Sequence, residues 1–213
     1  LGVAAIVNPR IEEYLRSLYD DGDPVRLEME ALARERRFPI VGPLVGRQLL
    51  QLTLAIGARR VFELGSGYGY SALFFASGVG ETGSVHCTDL SQENVTLAEG
   101  FLKRAGLWDR VTYHREEAAA ALRRVGGAWD VIYNDIDKAG YPETVELAYA
   151  HLRPGGLFIT DNTLWSGRVL EGEDDGKPDT AGVKEFTRRL FGHGGFLTRI
   201  DPTRDGVAVA LRL

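Results

Sequence analysis

From Arg59 onward, short apolar or β-branched runs alternate with longer stretches of helical pattern, and no other feature of the chain restricts its fold as much. RRVFEL precedes YSALFFASGV, SVHCTD precedes ENVTLAEGFLKRAG, and RVTYH precedes EEAAAALRRVG. WDVIYND and YPETVELAYAHL then lead to GGLFITDN. Apolar runs of about five residues, each separated from the next by one helix, predict parallel strands buried on both faces. Their regular spacing predicts a doubly wound α/β sheet. The end of the chain departs from this rhythm. FLTRIDPTRDGVAVALRL reads as two strands joined by a turn at Pro202–Gly206, a connection too short for a parallel crossover, so one strand should run antiparallel.

The first 57 residues read as helices. Ile11, Leu15 and Leu18 share one face, and Leu27, Ala31 and Arg34 continue the theme after Pro24 at a helix start. A third helix is expected from about Leu44 to Ile56, with Leu49, Leu52 and Ile56 apolar and Gly57 as its stop. No repeat or linker divides the chain, so one domain is expected, with a helical region over 1–57 and an α/β core over 58–213.

Composition narrows the function. Apolar residues make up 44% and charged residues 26% of the 213, the balance of a globular chain rather than a disordered one. The net charge of −5 gives no broad basic footprint for nucleic acid, and no nucleic-acid partner is expected. One cysteine, Cys87, excludes an internal disulfide and a multi-cysteine zinc site and fits a reducing, cytoplasmic compartment. No apolar run approaches the roughly 20 residues of a membrane span, and LGVAAIVNPR lacks the pattern of a signal peptide. The chain begins without Met, so its natural start is expected to lie further upstream.

Glycine is in excess, and the informative cluster is VFELGSGYGYS. Gly65, Gly67 and Gly69 fall at the end of the first strand and just before a helix. Ligands bind there in open α/β sheets, with backbone N–H groups and a helix N-terminus at hand. The spacing is GxGxG, and Tyr70 stands where a dinucleotide fingerprint would need its third glycine. The second strand ends in SVHCTDL, placing Asp89 twenty residues after Gly69. An acid there suits a ribose diol, while a helix cap is its plain structural alternative.

The fourth and fifth runs end in NDIDKAGY and TDNTLW. Asp135 and Asp161 lie 26 residues apart with one helix between them, enough for a parallel crossover. On neighbouring strands about 4.8 Å apart, Asp135, Asp161 and Asn162 can converge. Two carboxylates and an amide oxygen form a hard set suited to Mg²⁺, Mn²⁺ or Ca²⁺ rather than Zn²⁺. Lys138 follows Asp135 by three residues, and a nearby dication would disfavour its charged form and suit it to act as a general base.

Together these strings resemble the cation-dependent O-methyltransferases that include the catechol and caffeoyl-CoA enzymes, over roughly Phe38 to Leu213. ELGSGYGYSAL is similar to that family's S-adenosylmethionine loop and NDIDKAGY to its metal-and-base motif. TDNTLWSG is similar to its second metal motif and RDGVAVAL to its closing hairpin. The resemblance implies a Rossmann-like, seven-stranded, mostly parallel sheet in a homodimer. It implies that Val41 and Gly65 contact S-adenosylmethionine, with Glu63 near its amino-acid end. Ser71 would hold the carboxylate, Asp89 the ribose and Ala118 the adenine, although Glu116 and Glu117 here replace the family's usual wording before Ala118. Asp135, Asp161 and Asn162 would hold the divalent cation. Asp135 would also touch the cofactor and join Lys138, the base, in catalysis on a small catechol-like acceptor. A nicotinamide oxidoreductase and a non-catalytic nucleotide-binding module are the competing readings.

Other residues are weaker pointers. Trp165 and Tyr141 are placed to line a substrate pocket or simply to pack. Glu171, Glu173, Asp174 and Asp175 read as a solvated loop. His86, His114, His151 and His193 have no metal or triad spacing and are expected to be structural.

Overall fold

The computed structural model describes residues 8–19, 22–170, 172 and 174–213. The opening segment weighed above for a leader, LGVAAIV, lies outside the described residues, as do Glu171 and Glu173 of the acidic loop. Three helices come first, α1 Pro9–Ser17, α2 Pro24–Arg36 and α3 Gly42–Ala55. Strands and helices then alternate: β1 Arg60–Leu64, α4 Tyr70–Gly78, β2 Ser84–Thr88, α5 Gln92–Arg104, β3 Val111–His114 and α6 Ala118–Val125. The series continues with β4 Trp129–Asn134, α7 Tyr141–His151, β5 Leu152–Thr160, α8 Pro178–Gly192, β6 Phe196–Asp201 and β7 Val207–Arg212.

The seven strands form one sheet in the order β3-β2-β1-β4-β5-β7-β6. The first five pair in parallel, and β7 runs antiparallel to both of its neighbours, β5 and β6. Successive strand residues therefore face opposite layers. Val61, Val131 and Ile159 pack under α3 and α4, whereas Phe62, Ile132 and Phe158 pack against α6, α7 and α8. Helix α8, which fills the second layer with Val183, Phe186 and Leu190, is an element the alternation of motifs did not single out.

Two helix faces differ from the sequence reading. In α2 the buried stripe is Val25, Met29 and Ala33, while Leu27 is 47% exposed. Asp23 caps the helix by accepting from the Val25 and Arg26 amides, and Pro24 opens it. That start fixes a phase in which every fourth residue from Val25 turns inward. Arg26 can then sit buried because it is paired with Glu30 in the next turn. Helix α1 buries none of its residues, and Ile11 and Leu18 are 50% and 56% exposed. Helix α3 starts at Gly42, two residues before the expected start, with proline in its first turn.

Candidate active site

The strand register explains why the candidate residues meet. Leu64 pairs with Asn134 and Asn134 with Thr160, so three adjacent parallel strands end level. The next residue on each chain segment is Gly65, Asp135 and Asp161. The strand order reverses between the parallel strands β1 and β4, the switch point where open α/β sheets hold ligands. A cavity of about 950 Å³ opens there.

One side of the cavity is built by the first three strands. Gly65 has a φ of 81°, and a Cβ on it would stand 2.8 Å from the carbonyl oxygen of Asp135, so no larger residue fits this crossing of backbones. Its amide donates to Thr88 Oγ1 at 2.9 Å, and Thr88 Oγ1 donates to the Glu63 carbonyl at 3.0 Å. Asp89 lines the cavity while its carboxylate accepts from the Ser91 amide (2.7 Å) and from Asn94 Nδ2 (3.2 Å). The helix cap is Ser91 and not Asp89, which instead braces the start of α5 while lining the cavity. Val41, Ser71 and Ala118 line the same space, together with Glu116 and Glu117. Glu117 also caps α6 by accepting from the Ala119 and Ala120 amides.

Glu63 is placed differently. It is fully buried and does not line the cavity. Ser71 Oγ donates to its carboxylate, and Cys87 Sγ lies 3.4 Å from its other oxygen. Burial pushes its pKa up to about 7 against the hydrogen bonds that favour the anion. Glu63 therefore meets the cavity indirectly, through the lining residues Ser71 and Ser66.

The other side gathers Asp135, Lys138, Asp161 and Asn162, all of which line the cavity. Lys138 Nζ donates to Asp135 Oδ1 at 2.8 Å and to the Ile136 carbonyl at 3.3 Å. Asp161 is 4% exposed, and its Oδ1 has no hydrogen-bond partner among the described residues. Burial raises the pKa of both carboxyls; Asp135 adds to the rise at Asp161, and Lys138 opposes the rise at Asp135. Asn162 holds a φ of 55°, a left-handed conformation that asparagine tolerates and that turns the chain sharply after β5. Among the described residues no group of three or more His, Cys, Asp or Glu is gathered for a metal; the candidate set is two acids and an amide.

Tyr141 and Trp165 do not line the cavity. Tyr141 is buried beneath it, donating from its hydroxyl to the Asp161 carbonyl at 3.1 Å, and Trp165 Nε1 donates to Thr180 Oγ1 at 3.0 Å. Of the acidic loop, Asp174 pairs with Lys184 and Asp175 with Arg168 and Lys177. Each histidine makes a polar contact within the protein: His86 Nδ1 lies 3.0 Å from His114 Nε2, His151 Nδ1 2.9 Å from the Leu147 carbonyl, and His193 Nδ1 accepts from the Gly195 amide. The sequence reading passed over Arg204, in the turn between β6 and β7, which lines the cavity and donates from Nη1 to the Ile40 and Val41 carbonyls. Its only sequence signal is an arginine inside the turn string PTRDG.

Residues 39–213 match the O-methyltransferase family. The catechol O-methyltransferase of Niastella koreensis is 27% identical, with 94% of this chain and 96% of that protein covered. That of Mycobacterium tuberculosis is 29% identical, with 95% of each covered. Among solved structures, a methyltransferase from Geobacter sulfurreducens is similar over 99% of this chain and all of its own, with a TM-score of 0.85 and 29% identity. An O-methyltransferase from Bacillus cereus in complex with SAH gives a TM-score of 0.85 at 25% identity, covering 96% of this chain and 97% of that one. A family match over more than four-fifths of the chain, joined to a sheet of the same architecture, makes this protein a member of the O-methyltransferase family.

Proposed function

We propose that the chain transfers a methyl group from S-adenosylmethionine to one hydroxyl of a small catechol-like acceptor, with the help of a divalent cation. The observation that carries this reading is a single cavity with a glycine loop and Asp89 on one side and Asp135, Lys138, Asp161 and Asn162 on the other. The Bacillus cereus relative in complex with SAH supports the choice of donor, and the catechol O-methyltransferases among the relatives support the choice of acceptor.

The acid side fits a hard dication on physical grounds. Burial raises the pKa of two neighbouring carboxyls, and one buried oxygen, Asp161 Oδ1, has no hydrogen-bond partner among the described residues. A buried unpaired acceptor is costly, so this pair favours a cation between its members. Asp135, Asp161 and Asn162 would hold the ion, with Mg²⁺ the first choice and Mn²⁺ or Ca²⁺ the alternatives that accept the same hard oxygen donors. When bound, such an ion acts as a Lewis acid that lowers the pKa of a hydroxyl it contacts.

The protein's own part is orientation and proton handling. The backbone at Gly65 and Ser71 and the carboxylate of Asp89 would fix the donor against the ends of β1 and β2. Lys138, held by Asp135 and by the Ile136 carbonyl, would take the proton from the acceptor hydroxyl. In-line transfer between two bound molecules then depends mostly on alignment, the entropic term that a preformed cavity supplies.

The test is methyl transfer to catechol with metal-stripped protein. Transfer should vanish in EDTA and return with Mg²⁺. Full activity in rigorously metal-free protein would remove the cation from the reading. Micromolar binding of NAD without binding of S-adenosylmethionine would overturn the reading as a whole.

A further inference from the structure

The turn between β6 and β7 holds a cavity residue that the reaction outlined above does not use. Arg204 has a φ of 51°, a conformation that glycine adopts freely and that strains a residue carrying a Cβ. Strain kept at a site-lining residue points to a role for its side chain. The hydrogen bonds from Nη1 to the Ile40 and Val41 carbonyls anchor the guanidinium against the segment leading into α3. Among the described residues, Nε and Nη2 have no acceptor. These two nitrogens form one edge of the planar guanidinium, the fork that matches both oxygens of a carboxylate.

Two other cations that line the cavity are already engaged. Lys138 is bound to Asp135. Arg16 comes within 3.8 Å of the point where a Gly42 side chain would begin, but it is paired with Glu12 at 2.8 Å. The turn that carries Arg204 is tied to the segment just after Asp161 and Asn162, where the Thr163 amide donates to the Gly206 carbonyl at 3.0 Å and the Leu164 amide to the Asp205 carbonyl at 2.8 Å, which places Arg204 beside the acceptor side of the cavity. We infer that Arg204 is a specificity-determining residue whose open edge binds a carboxylate on the acceptor, so that the preferred substrates are dihydroxyaromatic acids. This rests on the proposed acceptor site.

The experiment compares 3,4-dihydroxybenzoate with its neutral isostere 3,4-dihydroxybenzamide in the wild type, Arg204→Gly and Arg204→Lys. Glycine suits the left-handed turn, so the first variant removes the guanidinium without straining the backbone. The wild type should prefer the acid. Arg204→Gly should lower the acid-to-amide ratio of kcat/KM by about 10- to 100-fold, the span expected for a hydrogen bond to a charged group. Arg204→Lys should fall between, because an ammonium lacks the fork. Calorimetry on SAH-loaded protein should show the same loss in binding of the acid, with SAH affinity preserved. Equal losses for acid and amide, or weakened SAH binding, would overturn the inference and leave Arg204 as a latch on Ile40 and Val41. A wild type that binds and methylates both acceptors without preference overturns the inference alone. A wild type that neither binds nor methylates either one overturns the acceptor reading, and the inference falls with it.

Discussion

Gly65→Ala isolates the contact on which the cavity depends. The added methyl would stand 2.8 Å from the Asp135 carbonyl oxygen, 3.1 Å from its carbon and 3.2 Å from the Ile136 nitrogen. All three are backbone atoms, so no side chain can swing aside. The φ of 81° adds strain of about 1–2 kcal/mol for an L residue. Overpacking against a fixed wall adds about 1–3 kcal/mol more. Together these come to about 2–5 kcal/mol, or a fall in Tm of roughly 5–15 °C for a chain of this size. Two comparisons separate the contributions. Gly80 has a φ of 76° with open space around it, so Gly80→Ala should lose only the strain, about 1–2 kcal/mol. Gly100 lies within α5 with nothing nearby, so Gly100→Ala should gain about 0.5–1 kcal/mol. Thermal denaturation of the three variants, with calorimetric titration of S-adenosylmethionine, is the assay. A Gly65→Ala protein that melts with Gly80→Ala and binds the donor normally would show that the crossing at Gly65 is not tight, and the reasoning would fail.

Lys138→Met should lower kcat by about 10²–10⁴-fold, the usual contribution of a positioned base, and a rising pH should recover part of it because a more ionised acceptor needs less help. An unchanged kcat, measured where methyl transfer limits the rate, would leave Lys138 as a counter-ion of Asp135. His86 has its pKa pushed down to about 4 by burial, with the charges of His114, Arg60 and Arg124 adding to the effect. The unfolded chain therefore takes up a proton first, near pH 6.5, and this contribution to stability is full above that pH and is lost as the pH falls toward 4. The difference in Tm between wild type and His86→Gln should shrink or reverse over that window, and parallel curves would refute it.

What was legible in the chain follows from how locally each feature is encoded. Strand runs and the glycine loop are written in consecutive residues, so the architecture and the strand ends that carry Gly65, Asp89, Asp135 and Asp161 could be read directly. The face of α2 could not. Leu27 looks like a core residue, but the Asp23–Pro24 start sets the phase, and Met29 is buried in its place. Glu63 could be placed on β1 but not assigned a layer, since only packing against Cys87 and Ser71 shows that it lies behind the cavity wall. Arg204 is the clearest omission. Its partners Ile40 and Val41 lie more than 160 residues away in sequence, and a turn arginine carries no periodicity that would reveal them.

The same distances explain why the cavity depends on one sheet rather than on two separable halves. β1 to β3 supply the glycine loop and Asp89, while β4, β5 and the β6–β7 turn supply the acids, Lys138 and Arg204. The halves meet where the Asp135 amide donates to the Leu64 carbonyl at 2.9 Å, and within the second half the Asp161 amide donates to the Asn134 carbonyl at 3.2 Å. Beyond the sheet, the loop after β5 is tied to the β6–β7 turn: the Thr163 amide donates to the Gly206 carbonyl at 3.0 Å and the Leu164 amide to the Asp205 carbonyl at 2.8 Å. Arg204 carries that turn across to the entrance of α3. The residues proposed to bind the donor, hold the cation and recognise the acceptor are therefore linked through backbone hydrogen bonds between neighbouring segments. Their spacing is set by strand register, which cannot slip by one residue without turning a buried face outward.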